Sequence, residues 1–481
     1  MEGEDGRLTV SLLPERSADN GGIGIGIVDS DLTSSSESTV TPLVIFSTFV
    51  AVCGSFVTGC ASAYSSPAES GIRDDLGISL AAYSLFGSIL TVGGIAAALV
   101  NGWITDLIGR KRALWLSEAF SAVGWLLIVF AKNAWWLDIG RLLIGLGIGI
   151  ICYVVPIYIA EITPKGVRGA FTALDQFSIS CGFSVTYFVG TVVSWRLLAL
   201  VGFVPCVVQV IGLFFIPESP RWLVKVGREK EFEAVLQRLR GKNADTTQEA
   251  DEIRDYTRTF EEQSRSRFLD LFQRRYVKAL TIGVGLMILQ QLGGVNAFAY
   301  YSGSIFESAD FSSTLGTQTI AIVTIPAVAV SVILTDRVGR RPLLMISAGA
   351  MFFCCLLLGV SFTMLDQGHW KNVVPYLVYA GLTVYSISFS LGIAPLPWVI
   401  MSEIFPINIK GSGGSLVTLA NWFGSWVVTY AFNFLFEWSS PGVFYIFACF
   451  CAANFLFIAT LVPETKGRAL EELQASLAHF K

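Results

Sequence analysis

Histidine is all but missing from this 481-residue chain: His369 and His479 are the only two, and both stand in polar stretches. A histidine metal centre, or a Ser–His or Cys–His catalytic pair within the apolar part, is thereby excluded. Charge is scarce as well. Only 15% of residues are Asp, Glu, Lys or Arg, and the net charge is −4 with no basic patch outside loops, which excludes nucleic acid as a partner. The nine cysteines all fall inside apolar runs, so they read as small core residues rather than a disulfide framework or metal site. No basic start followed by a cleavable apolar core is present, so no secretory signal is expected. Residues 1–41 are instead acidic and Gly/Ser-rich, the composition of a disordered tail. With no nucleophile–base pair and no paired carboxylates in the apolar runs, no enzyme and no cofactor are expected.

What fills the chain is hydrophobic residue, 53% of the total, with a mean hydropathy of +0.61. That surplus implies a polytopic membrane protein. The apolar stretches are continuous rather than alternating, which selects helices over a barrel. Twelve spans are predicted: 42–64, 80–103, 112–132, 134–160, 169–193, 195–217, 278–305, 314–335, 342–365, 373–402, 411–437 and 442–462. The implied fold is all-α, with twelve transmembrane helices in two pseudo-symmetric six-helix bundles. The domains run as a tail (1–41), an N-terminal bundle (42–217), a cytosolic helical linker (218–277), a C-terminal bundle (278–462) and a short tail (463–481). The linker carries two charged helical patterns, "EKEFEAVLQRLR" and "TQEADEIRDYTRTFEEQS". If both tails face the cytosol, that side holds 28 of the 33 Lys and Arg, which sets the predicted orientation.

The two halves repeat each other. "TDLIGRKR" (105–112) returns as "TDRVGRRP" (335–342), "EITPKGVRG" (161–169) as "EIFPINIKG" (403–411), and "PESPRWL" (217–223) as "PETKGRAL" (463–470). The offsets of 230, 242 and 246 keep each pair at the same place in its half, so the halves are an internal duplication in parallel. Such an arrangement places a substrate site midway between two rocking bundles. Acids and bases recur at four span ends: Asp106 with Arg110, Glu161 with Arg168, Asp336 with Arg340, and Glu403 with Lys410. They are predicted to pair across helices when the cytosolic face is closed, forming a gate that opens by breaking several charge-assisted bonds together.

Polar residues cluster in the seventh span, where Gln290, Gln291, Asn296, Tyr300 and Tyr301 interrupt an apolar run around Gly293–Gly294. Amides donate and accept, as sugar hydroxyls do, and they desolvate without the penalty of a charge. Gln176 in the fifth span and Asn421 with Trp422 in the eleventh add to the set. Trp398 in the tenth follows Pro395 and Pro397, which break that helix. Helix-to-helix adhesion is the alternative use of a single such amide.

The motifs "DLIGRKR", "PIYIAEITPKGVRG", "PESPRWL", "QQLGGVNAFAYYS", "DRVGRR", "PLPWVIMSEIFP" and "PETKG", in this order, resemble the sugar porter family of the major facilitator superfamily from about residue 42 onward. The tail, linker and "SEIFP" context look most like the plant early-response-to-dehydration type of monosaccharide transporter. The resemblance implies that Gln176, Gln290, Gln291, Asn296, Trp398 and Asn421 line a site for a neutral monosaccharide. Thr324 and Ser390 depart from the family pattern at positions that bear on hexose preference.

Arg141 is the one basic residue well inside a span, and such a residue marks function by default. In proton-coupled members of the family the matching Arg pairs with an acid in the first span. Here that position is Ala61, and 42–64 contains no carboxylate. Facilitated diffusion is therefore expected, with Asp175, read as the only acid well inside a span without a motif role, as the alternative route for a proton. A membrane sugar sensor is the rival of a different class, disfavoured by the short stretch after the last span. The string formed by Leu8, Leu12 and Leu13 matches a sorting signal to the vacuolar membrane, with the plasma membrane as the alternative address. A functional monomer in the lipid bilayer is expected.

Overall fold

The computed structural model describes residues 40–263, 273–368, 370–405 and 407–466. Residues 1–39 and 467–481 of the predicted tails, with Leu8, Leu12 and Leu13, lie outside the described residues, as do the side chains of Asp336 and Lys410.

Six long helices come first: α1 (Pro42–Leu76), α2 (Leu80–Ile108), α3 (Arg110–Val129), α4 (Ala134–Ile162), α5 (Arg168–Gly190) and α6 (Trp195–Leu213). Three short ones follow, α7 (Pro220–Lys225), α8 (Glu229–Arg240) and α9 (Thr247–Gln263). The second half comprises α10 (Arg274–Leu292), α11 (Val295–Ser308), α12 (Ser313–Val338), α13 (Arg340–Asp366), α14 (Val374–Ser388), a π-helical turn at Phe389–Ile393, α15 (Leu396–Ile404), α16 (Ile407–Trp438) and α17 (Ser440–Leu461). Local chemistry sets the boundaries. Thr41 caps α1 ahead of Pro42, and Gly77 ends it in the left-handed region. α1 runs a full twelve residues past its predicted end, because "SSPAESGIRDDL" is polar enough to read as loop yet tolerates Pro67 within the helix.

Among the described residues ten segments are long and apolar enough to cross a membrane, counting α10–α11 and α14–α15 as one segment each. α5 and α16 are not among them. Both are long, 23 and 32 residues, but they carry the polar set Asp175, Gln176, Asn421 and Asn433. Trp103, Phe214, Phe353 and Leu456 point outward and exposed, as side chains facing lipid would.

Within the first half α2 and α3 flank α4, while α5 and α6 flank α1; in the second, α13 packs on α17 and α14, and α10 on α16. The halves meet along α2–α16, α5–α12 and α1–α11. A shift of six spans turns the first of these interfaces into the second and maps the third onto itself, so the duplication in the sequence reappears as a pseudo-two-fold axis.

The linker helices build a small core from Trp222, Leu223, Phe232, Leu236, Ala250 and Ile253. They dock on the first half at one end. Buried Arg240 donates to the Ile162 carbonyl at 2.8 Å while holding Glu249 through two bonds (2.8 and 2.7 Å). Thr41 donates to the Leu239 carbonyl (2.8 Å), and the Trp222 indole to that of Asp106 (2.9 Å).

Candidate functional site

The second half contains two broken helices, and each break follows from its residues. Between α10 and α11, Gly294 adopts φ +92°, and a Cβ there would lie 2.6 Å from the Phe447 ring, so only glycine fits. Between α14 and α15, Pro395 has no N–H to give the carbonyl of Leu391. Ser331 donates to that carbonyl instead, at 2.7 Å. Ser347 donates to Ser388 (2.5 Å) and accepts from the Ile393 amide (3.2 Å), closing the π turn. Hydroxyls on α12 and α13 thus replace ladder bonds that a bilayer cannot supply.

The amides assemble at the first break. Gln291, in the last turn of α10, donates to Asn421 on α16 (2.7 Å), and Asn296 donates to both Gln291 (2.5 Å) and Ser425 (2.7 Å). Gln290 is 5% exposed, and its Oε1 has no hydrogen-bond partner among the described residues. Of the sequence-predicted residues, Gln291, Asn296 and Asn421 are joined directly, and Gln290 stands beside them on α10. Ser425 was not foreseen, since a serine in an apolar helix carries no signal of its own. Tyr300 is buried one turn further along α11, Trp398 is half-buried on α15 against the core, and Gln176 is half-buried on α5. Thr324 turns its hydroxyl back onto the Ile320 carbonyl of its own helix (2.7 Å). An apolar cleft of about 500 Å³ beside Ile45, Phe49, Leu174 and Phe177 contains none of these amides.

Arg141 is 1% exposed. It donates to the Ala61 carbonyl (2.8 Å) and to Ser65, and its guanidinium lies 4.6 Å from the Phe86 ring centre and 5.1 Å from that of Tyr64. A carbonyl, a hydroxyl and two π faces stabilise this cation in place of a carboxylate. Asp175 sits elsewhere, accepting from Ser55 at 2.5 Å, so the two coupling candidates are not paired with each other. The structure also corrects the reading of Asp175 as the acid inside a span without a motif role. Glu118, in the middle of α3, is fully buried beside the weakly donating Cys206 thiol, with no stronger hydrogen-bond partner among the described residues.

The repeated strings at the linker end now have a cause. Glu218 accepts from the backbone amides of Arg110 (3.0 Å), Lys111 (3.0 Å) and Ser219 (2.9 Å). Glu464 does the same for Arg340 (3.1 Å), Arg341 (3.0 Å) and Lys466 (2.9 Å). Each carboxylate therefore caps the N-terminus of a helix, α3 or α13, from a distant segment. Gly109 (φ +92°) and Gly339 (φ +105°) make this approach feasible, because a Cβ would stand 2.6 and 2.9 Å from the capping oxygen. Burial pushes the Glu218 carboxyl above its ordinary range against the pull of its amide donors. At Glu464 burial acts the same way but the backbone donors prevail, holding it below that range.

Arg110 grips Glu161 through two bonds (3.0 and 3.1 Å), and Asp106 contacts Arg110 (3.4 Å) and Lys225 (2.8 Å). Arg340 reaches Glu403 at 3.3 Å. Arg168 opens α5 after the 3₁₀ turn. These described pairs cross from one helix to another, and each lies within one half.

Bonds between halves concentrate at the opposite end, which the sequence reading passed over. Ser66 bonds Ser302 (3.0 Å) and accepts from the Gly303 amide (2.9 Å); Ser304 donates to Glu69 (2.5 Å). Tyr187 bonds Ser302 (2.9 Å) and the Ala299 carbonyl, and Gln318 donates to Thr191 (2.9 Å). Nearby α11 bends at Tyr301, whose backbone leaves the helical region.

Comparison with known proteins adds the lineage. The chain is 53% identical to the Arabidopsis thaliana sugar transporter ERD6-like 11 over 91% of its own length and 94% of the relative's. It is 50% identical to sugar transporter ESL1 of the same plant over 92% and 94%. The xylose transporter XylE from E. coli, solved in an inward open conformation, shares the fold with a TM-score of 0.75 at 24% identity, covering 90% of this chain and 99% of that one. The family described as "Sugar (and other) transporter" matches residues 43–477, and this chain, a multi-pass membrane protein of major facilitator fold, belongs to it.

Proposed function

We propose that the protein moves neutral monosaccharides, hexoses such as glucose or fructose, across a membrane by alternating access and facilitated diffusion. The observation that carries this reading is the uncharged polar set at the α10–α11 break: Gln291, Asn296, Asn421 and Ser425 bonded together, with the Gln290 Oε1 free of any partner among the described residues. Gln176, Tyr300 and Trp398 complete the proposed lining. Binding through a few neutral hydrogen bonds corresponds to roughly 4 kcal/mol and a millimolar affinity. The names of the Arabidopsis relatives, sugar transporters, agree with this.

The passive mode rests on Arg141. Its partners are a carbonyl, a hydroxyl and two rings, none of which exchanges a proton at physiological pH, so no acid–base pair is present there to couple sugar to a gradient. The second reading is proton coupling through Asp175, favoured by its place beside Gln176 and its bond to Ser55; a solved structure of the same fold is titled a proton:xylose symporter. We further place both termini and the linker on the cytosolic side, from the distribution of Lys and Arg, and the protein in the vacuolar membrane, from the leucine string in the tail. The proposed working unit is a monomer with two bundles, 42–217 and 278–462.

Proteoliposomes test the proposal. A sugar panel should enter down its own gradient, and an imposed pH gradient should drive no accumulation above equilibrium, with Asp175→Asn unchanged in exchange and net flux alike. Uphill accumulation that vanishes in Asp175→Asn would replace the facilitator with a symporter or antiporter, and absence of uptake across the panel would leave the sensor reading.

A further inference from the structure

We propose that Tyr385 is a positioning residue of the transport cycle, its hydroxyl holding the broken helix α10–α11 in the setting that closes the end opposite the linker. The inference rests on the transporter reading above and deepens it.

The break takes carbonyls out of the helical ladder, and that of Gly293 is the one that finds a side-chain donor. Gly293 and Gly294 donate back into α10, to Leu289 and Gln291 (both 3.0 Å), and α11 begins afresh with Phe298 donating to Gly294 (3.0 Å). The Gly293 carbonyl accepts instead from the Tyr385 hydroxyl at 2.8 Å, with the weaker Cys451 thiol at 3.9 Å. In an interior without water such a carbonyl needs a donor, and Tyr385, 1% exposed, supplies it. The Tyr385 ring lies 4.2 Å from that of Phe298, which in turn contacts Phe444 and Phe447, so the hydroxyl is fixed in place by packing.

Position gives this bond its consequence. Gln290 and Gln291 precede Gly293 and Asn296 follows it, so the direction of this one peptide sets the spacing of the amides. Farther along α11, Ser302, Gly303 and Ser304 are bonded to Ser66 and Glu69 of α1. Opening that end requires α11 to leave α1, and the flexible point between them is Gly293–Gly294. A swing there carries the Gly293 carbonyl away from a hydroxyl that is fixed on α14. The bond therefore belongs to the closed setting, and it ties the α10–α11 break to the second break, which starts four residues after Tyr385. Removing it should favour the form open at the end opposite the linker, because a bond made in only one of two states biases their populations.

Tyr385→Phe deletes the hydroxyl and keeps the ring. In vesicles of known orientation, half-saturating D-glucose should fall at the end opposite the linker and rise at the linker end, each by about three- to ten-fold, the weight of one neutral hydrogen bond. General loosening of the fold would not move the two constants in opposite directions. Both rising together, or neither moving while the parent transports, overturns the role of Tyr385; a parent that transports no sugar counts against the functional reading instead. Hydrogen exchange in the purified protein gives a second measure independent of substrate. Uptake of deuterium should increase over 295–308 and 62–72 and stay at the parental level over 110–129. Unchanged exchange over 295–308 overturns the inference whatever the substrate proves to be.

Discussion

Gln290 and Asn296 stand six residues apart across the same break, yet their removal should have different signatures. Asn296 makes two bonds to protein, to Gln291 and Ser425, so Asn296→Ala strips partners from the empty carrier. At about 1 kcal/mol net per bond, the folded state should lose roughly 2 kcal/mol, and sugar affinity should fall as well. Gln290 differs: its buried Oε1 has no protein partner to lose. Gln290→Ala removes an acceptor that, in the proposed site, a ligand would use, so the empty protein should keep its thermal midpoint. Sugar binding should weaken by about 1–3 kcal/mol, which raises the half-saturating concentration roughly 5- to 150-fold. The assay pairs initial rates in proteoliposomes with thermal unfolding of the purified variants. If Gln290→Ala transports with parental affinity, or loses as much stability as Asn296→Ala, the amide set is structural glue and the pocket lies elsewhere.

Two further tests concern the linker end. Arg110 and Glu161 are only 13% and 10% exposed, so Arg110→Ala should cost about 3 kcal/mol of stability while leaving the ratio of the two sided half-saturation constants unchanged; a changed ratio would restore the gating role first assigned to these charges. The two capping glutamates should diverge with pH. Glu464 titrates lower folded than unfolded, so its stabilisation is present above the ordinary value of 4.5 and lost as pH falls through the folded value; Glu464→Gln should therefore lower the thermal midpoint at neutral pH, with the deficit shrinking on acidification. Glu218 titrates higher folded than unfolded, so ionising it costs stability as pH rises, and Glu218→Gln should match or exceed the parent at neutral pH; equal losses in both variants would refute the contrast.

The breaks were legible from residues alone, because Gly293–Gly294, Pro395 and Pro397 act through backbone geometry that no distant contact overrides. The repeated strings were legible as a duplication, but their purpose was not. That Glu218 and Glu464 cap α3 and α13 depends on contacts more than a hundred residues apart. The seam formed by Ser66, Glu69, Tyr187, Ser302 and Ser304 stayed hidden for the same reason: isolated hydroxyls in apolar helices look like packing until the partner helix is known. Glu118 was a different kind of miss. A charged residue in the middle of a 20-residue apolar helix is visible in the sequence, and reading the span for its motif end alone hid it.

The enclosure of Arg141 has an electrical consequence. A charge crossing a membrane exchanges about 2.3 kcal/mol with the field for every 100 mV, enough to pull its cargo uphill. On the passive reading proposed above, a neutral sugar moving past a guanidinium whose partners carry no exchangeable proton would offer the voltage nothing to act on. Such a carrier behaves as a two-way valve: it cannot hoard, and it empties or fills a compartment according to which side is richer. A cell holding sugar in store would then set the direction of flow by making or consuming sugar on one side, with no expenditure of membrane potential at the carrier itself.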